Sequence, residues 1–142
     1  MNPNLVLAHA TLGPVLALQG NVDSAIAHVE RALRLCPGDR FLGFFGALTM
    51  TMTQFAAARY PDAAVWAHKT VQMRPEFPDG YRWLAAAAAL TGNVPEAAEA
   101  LGMHRRLVPD YTVARTRENT PFTGNTVERF LDGLRKAGLP ED

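Results

Sequence analysis

Apolar residues recur along this chain at helical spacing, in runs punctuated by glycine and proline. The pattern predicts helices over about 5–19, 22–35, 40–57, 61–73, 78–91 and 94–107, with a short one near 111–118. A last helix is the best defined. Val127, Phe130, Leu131 and Leu134 fall on one face, Asn125 is placed to cap it, and Glu128 is placed to close a capping box. Arg135 and Lys136 suit its negative C-terminal end, and Gly138 with Pro140 stops it. The chain is therefore expected to be all-α.

The punctuation is periodic. Pro3, Pro37, Pro75 and Pro109 recur at nearly even intervals, the first and last equal and the middle one longer by a helical turn. Proline ends helices because it lacks an N–H and restricts the residue before it. Gly20 and Gly92 stand two such intervals apart, and each separates two apolar helical runs. Glycine there suits a helix end that turns through a left-handed conformation. Ala25, Ala63 and Ala97 keep the register, each early in a second helix, where a small side chain lets two helices approach. The unit is a helix, a tight turn, a second helix and a proline-marked turn.

These residues resemble the tetratricopeptide repeat, whose usual period of about 34 residues is the interval from Pro3 to Pro37 and from Pro75 to Pro109. The first unit matches at His9, Leu12-Gly13, Leu16, Ala25, Val29, Ala32 and Pro37. The third matches at Tyr81, Leu84-Ala85, Ala88, Ala97, Leu101 and Pro109. The middle unit matches in its second helix, at Tyr60, Ala63, Ala67 and Pro75. The chain departs from the family in four ways. Leu, Val or Ala replaces most of the family's aromatics. Thr70 and His104 stand where the family prefers alanine. Pro14 falls inside the first helix, where proline costs about 3 kcal/mol unless the helix kinks. The middle unit has four extra residues, read as one more turn on its first helix. The resemblance implies one tetratricopeptide domain over 1–142, an α–α superhelix of repeats at about 6–39, 40–77 and 78–111, with a capping segment over 112–142. The tail from Arg129 to Pro140 resembles the ends of bacterial tetratricopeptide regions fused behind class III adenylate cyclase or winged-helix regulator domains. Asn2-Pro3-Asn4 is in phase with the end of a missing repeat, which implies a piece, or a relative of the C-terminal part, of a longer protein.

Composition narrows the function. Fourteen basic residues balance fourteen acidic ones, against the basic excess of a nucleic-acid binder or a membrane-surface anchor. The uncharged stretch from Phe41 to Ala58 is broken by Thr49, Thr51, Thr53 and Gln54, so it reads as a buried repeat helix rather than a membrane span. Cys36 cannot form an intramolecular disulfide, and a cytoplasmic home is the default expectation. It has no base in a recognisable order and reads as a small apolar residue. No two of His9, His28, His68 and His104 have the spacing of metal ligands on one helix face. Gly43-Phe44-Phe45-Gly46 lacks the lysine of a phosphate loop. No catalytic residue, metal or cofactor is expected.

In the family, the first helix of each repeat lines a concave groove. Carried over, this places Leu7, Ala10, Pro14 and Ala17 inward, then Phe45, Leu48, Met52 and Phe55, then Asp79, Arg82, Ala86 and Ala89. The extra turn leaves the phase of the middle set open. The stripe Phe41, Phe45, Leu48, Met52 and Phe55 reads equally as core. Such a groove is apolar, and Arg82 alone cannot rebuild a carboxylate clamp. The expected partner is a protein or peptide with an amphipathic or apolar segment. Two other readings stand beside this scaffold: a self-association module, and an accessory enzyme subunit with no chemistry of its own. A buried polar cluster of convergent His, Asp or Arg would favour the last of these, an enzyme or substrate-binding subunit; an apolar concave face would not.

Overall fold

The computed structural model describes Gln19 and residues 21–35, 37–120 and 124–142. The first predicted helix, with Leu7, Ala10, Pro14 and Ala17, lies outside the described residues, as do Pro3, Gly20 and Cys36. The described residues form seven helices and no strand: α1 Val22–Leu35, α2 Arg40–Ala56, α3 Tyr60–Met73, α4 Pro78–Thr91, α5 Val94–Leu107, α6 Val113–Glu118 and α7 Gly124–Ala137. None of these helices is long and apolar enough to cross a membrane. The chain divides into two compact units, Met1–Arg74 and Pro75–Asp142.

In the first unit α1 buries one stripe, Ala25, Val29 and Ala32, against α2. Asp39 caps α2 by accepting from the Leu42 N–H at 2.9 Å. At 17 residues α2 is longer than the 14-residue α4, as the insertion predicts. It packs against α1 and α3 and buries residues around most of its circumference. Its threonines are compatible with that burial because each hydroxyl is satisfied within the helix. Thr49, Thr51 and Thr53 donate to the carbonyls of Phe45, Ala47 and Thr49, each at 2.8 Å. Thr70, at a position where the family prefers alanine, is buried and donates to Trp66 O at 2.9 Å.

The two complete hairpins, α2–α3 and α4–α5, are built alike and in one register. After α2, Ala58 takes φ 61°, and Arg59 N–H reaches back to Gln54 O at 2.9 Å. After α4, Gly92 takes φ 95°, and Asn93 N–H reaches Ala88 O at 2.9 Å. This is the same left-handed helix end in both places. Only Gly92 adopts it without steric cost; Ala58 bears a strain of about 1–2 kcal/mol. Ala63 and Ala97 are both fully buried. The hairpins also end alike: Arg74 N–H bonds Thr70 O, and Val108 N–H bonds His104 O.

In the second unit α4 packs against both α5 and α7. Every residue from Gly80 to Ala89 is buried. The alanine run from Ala85 to Ala89 keeps α4 thin enough for close neighbours on two sides. Gly133 of α7 shows how close: a Cβ there would stand 2.7 Å from the Ala86 carbonyl oxygen and 2.9 Å from its Cα. Trp83 stacks on Phe130 with ring centroids 4.2 Å apart. Phe130, Leu131 and Leu134 are fully buried, so α7 covers α4 with the face its periodicity marks.

Two local expectations are corrected. The last helix begins at Gly124, so Asn125 lies inside its first turn, and the Glu128 carboxylate pairs with Arg117 of α6 instead of closing a box. The short helix begins at Val113 because Thr112 caps it, accepting from the Arg115 N–H at 3.2 Å. The tail then returns to it: Val113 and Ala114 N–H donate to the Pro140 and Glu141 carbonyls.

Candidate functional site

The predicted groove residues separate into three environments. On α2, Phe45, Leu48 and Met52 are half-buried. Phe55 is fully buried and meets Tyr60 edge-on at 5.1 Å, so it belongs to the core rather than to a groove. Phe41, on the extra turn, is 54% exposed and stacks on Phe45 with centroids 6.4 Å apart. The inner side of Phe45 packs against Ala32 and Leu42. The stripe therefore runs from surface at Phe41 to core at Phe55.

On α4 the expectation of an open apolar face is corrected. Ala86 is fully buried, with the Gly133 backbone against it, and Ala89 is buried as well. The terminal helix occupies the face that the family resemblance assigns to a partner. Leu7, Ala10 and Pro14, the groove residues of the first unit, lie outside the described residues.

Arg82 is the predicted residue with the most developed surroundings. It is 7% exposed, although it carries a charge. Its position on α4 directs the guanidinium toward the turn that follows α5. Nε lies 3.0 Å from Asp79 Oδ1, one helical turn back, as an ion pair without the alignment of a hydrogen bond. Nη1 donates to the Tyr111 hydroxyl at 3.3 Å. The guanidinium carbon sits 5.7 Å from the Phe130 ring centroid and 5.9 Å from that of Trp83. These contacts hold the cation in one place.

His104 completes the cluster. It projects from α5, is 2% exposed, and packs its ring on Tyr111 with centroids 4.1 Å apart. Burial, and then the nearby charge of Arg82, lowers its pKa from the usual 6.5 to about 4. The imidazole is therefore neutral at pH 7. Among the described residues its Nδ1 is buried without a hydrogen-bond partner. Arg115 and Asn119 contribute from α6 and its end. Arg115 is held by donating to Asp110 O at 3.2 Å, and Asn119 donates to Arg115 O at 2.8 Å. Together with Pro78 and Val108 these residues line a cavity of about 300 Å³ within the second unit.

Asp79 and Arg82 were legible in the sequence as inward positions of one helix. His104, Tyr111, Arg115 and Asn119 were not legible as their partners. His104 offered a signal, since it stands where the repeat favours a small residue. Tyr111 and Arg115 offered none, because the turn after α5 decides which way they face. Neither a protein-family model nor a curated protein matches the sequence.

Proposed function

We propose that this chain is a tetratricopeptide-type helical-repeat scaffold, non-catalytic in itself, that holds an apolar or amphipathic segment of a partner protein. The observation that carries this reading is the reuse of one hairpin design in two successive units: the left-handed turns at Ala58 and Gly92, the buried Ala63 and Ala97, and the matching ends at Arg74 and Val108. Repeats of this kind stack small units whose faces remain available for binding along the array. The surface we assign to the partner is the outer end of α2, where Phe41 is exposed beside half-buried Phe45, Leu48 and Met52. Exposed aromatic residues next to an apolar strip are typical anchors for a helical segment. The tail's likeness to regulator-fused repeat regions supports a place in the regulatory part of a larger signalling protein.

Affinity capture with the wild type and with Phe41→Asp tests the assignment. Phe41 is exposed, so the substitution leaves the helical circular-dichroism spectrum unchanged. Partners held at this surface are lost by Phe41→Asp and kept by Met73→Asp, a control at another exposed apolar position. Equal capture by both variants overturns the assignment. Light scattering over a concentration series addresses self-association: a mass that rises with concentration in the wild type and not in Phe41→Asp makes the partner a second copy of the chain.

A further inference from the structure

We propose that the cavity bounded by Arg82, His104, Tyr111 and Arg115 is a binding site for a small organic acid, which it takes by the carboxylate. The site is distinct from the α2 surface and does not depend on the scaffold reading.

The charge of the cavity is the starting point. Arg82 and Arg115 contribute two cations, and Asp79 contributes one anion. The Arg82 side chain is 9% exposed, whereas that of Asp79 is 40% exposed. A buried guanidinium is costly unless it is paired and hydrogen-bonded. Asp79 stands 3.0 Å from its Nε without a hydrogen bond, and the Tyr111 hydroxyl accepts from Nη1 at 3.3 Å. With Asp79 beside Arg82, the lining keeps one net positive charge, brought by the exposed Arg115, and a bound monoanion neutralises it.

Geometry favours a planar monoanion. The Arg82 fork is immobilised by Asp79, Tyr111 and the rings of Trp83 and Phe130, so little side-chain entropy is lost on binding. Guanidinium and carboxylate match as planar partners. Arg115 stands at the exposed rim, where its anchored side chain can close over a bound group. The neutral ring of His104 adds no third cation, and Asp79 opposes a second negative charge. Both features favour a carboxylate over a phosphate dianion. Half-buried Pro78 and Val108 supply an apolar wall for a short hydrocarbon body. A volume of about 300 Å³ is at the small end of ligand pockets. A purely structural Asp79–Arg82 pair accounts for one edge of the guanidinium. It does not account for the second arginine and the tyrosine that line the same space.

Isothermal titration of the full chain with sodium butyrate, butyramide and inorganic phosphate tests this. Butyrate is expected to bind about tenfold or more tightly than its neutral amide, the range of a charge-assisted pair. Arg115→Gln, at an exposed position, is expected to weaken butyrate about tenfold while preserving the helical spectrum. Arg82→Lys keeps the charge, loses the fork, and is expected to weaken butyrate as well. Equal binding of butyrate and butyramide overturns the proposal. So do phosphate binding tighter than butyrate, absence of butyrate binding, and unchanged butyrate affinity in Arg115→Gln. A short peptide ending in Ala-Leu, with free or amidated C-terminus, distinguishes the sources of the carboxylate. If the free-acid peptide outcompetes butyrate, the ligand is the end of a polypeptide; if butyrate binds better, it is a free small acid.

Discussion

His104 and Thr70 occupy equivalent places in successive hairpins and show how one side chain changes the unit. Thr70 satisfies its hydroxyl within its own helix, on Trp66 O. His104 has no such local solution, so its ring turns to Tyr111 and stays neutral. That has a consequence for stability. The folded chain resists a proton that an unfolded His104 accepts with a pKa of about 6.5. Above that pH both states are neutral and His104 carries no penalty. As the pH falls from 6.5 to about 4, the unfolded state gains protons that the folded state refuses, and stability declines. Below that window the loss is complete, on the order of 3 kcal/mol. The groups facing the ring are Arg82 from α4 and Tyr111 from the turn after α5. Urea unfolding at several pH values, compared between wild type and His104→Ala, checks this. The variant loses packing at every pH, but its decline between neutral and acid conditions is smaller. An identical decline in both proteins would refute the assignment to His104.

Among the elements, α7 is the one whose sequence and role agree most closely. Its apolar face was legible from the spacing of Val127, Phe130, Leu131 and Leu134, and all four are buried. What spacing could not reveal is how near it comes to α4. The limit is set by Gly133, where any side chain meets the Ala86 backbone. Backbone cannot rotate aside as a side chain can. Gly133→Ala is therefore expected to destabilise the chain by about 1–3 kcal/mol, through forced separation of α4 and α7. Gly102→Ala makes a useful comparison, since a Cβ there meets nothing within 4 Å and alanine favours helix. Chemical denaturation of both variants decides the matter: equal effects at the two glycines would remove the close-approach explanation. Within α2, Thr49, Thr51, Thr53 and Gln54 break the uncharged run, yet all four are buried. Back-bonding to the preceding turn makes that burial compatible with the threonine hydroxyls, and the rule is local enough to be applied to a sequence.

At the scale of the molecule, the division at Arg74–Pro75 coincides with one of the periodic prolines. The second unit has its own core, in which Trp83, Phe130, Leu131 and Leu134 are buried together by α4 and α7. Its tail is tied back onto α6 by Val113 and Ala114. Residues 75–142, expressed alone, are therefore expected to fold, although at this length the margin is only about 3–5 kcal/mol. A helical spectrum with a cooperative thermal transition is the expected result. A non-cooperative melt would show that this unit needs the preceding residues. The sequence by itself determined the described helices, because glycine, proline and the α-helical period act over a few neighbouring positions. It also marked α7 as a covering helix, because one of its faces is apolar. Only the tertiary structure decided that Ala86 faces a helix rather than a partner, that Phe55 is core while Phe41 is surface, and that Arg82 meets Tyr111, with His104 and Arg115 lining the same cavity. Those outcomes depend on how closely elements distant in sequence approach, and no local pattern encodes that distance.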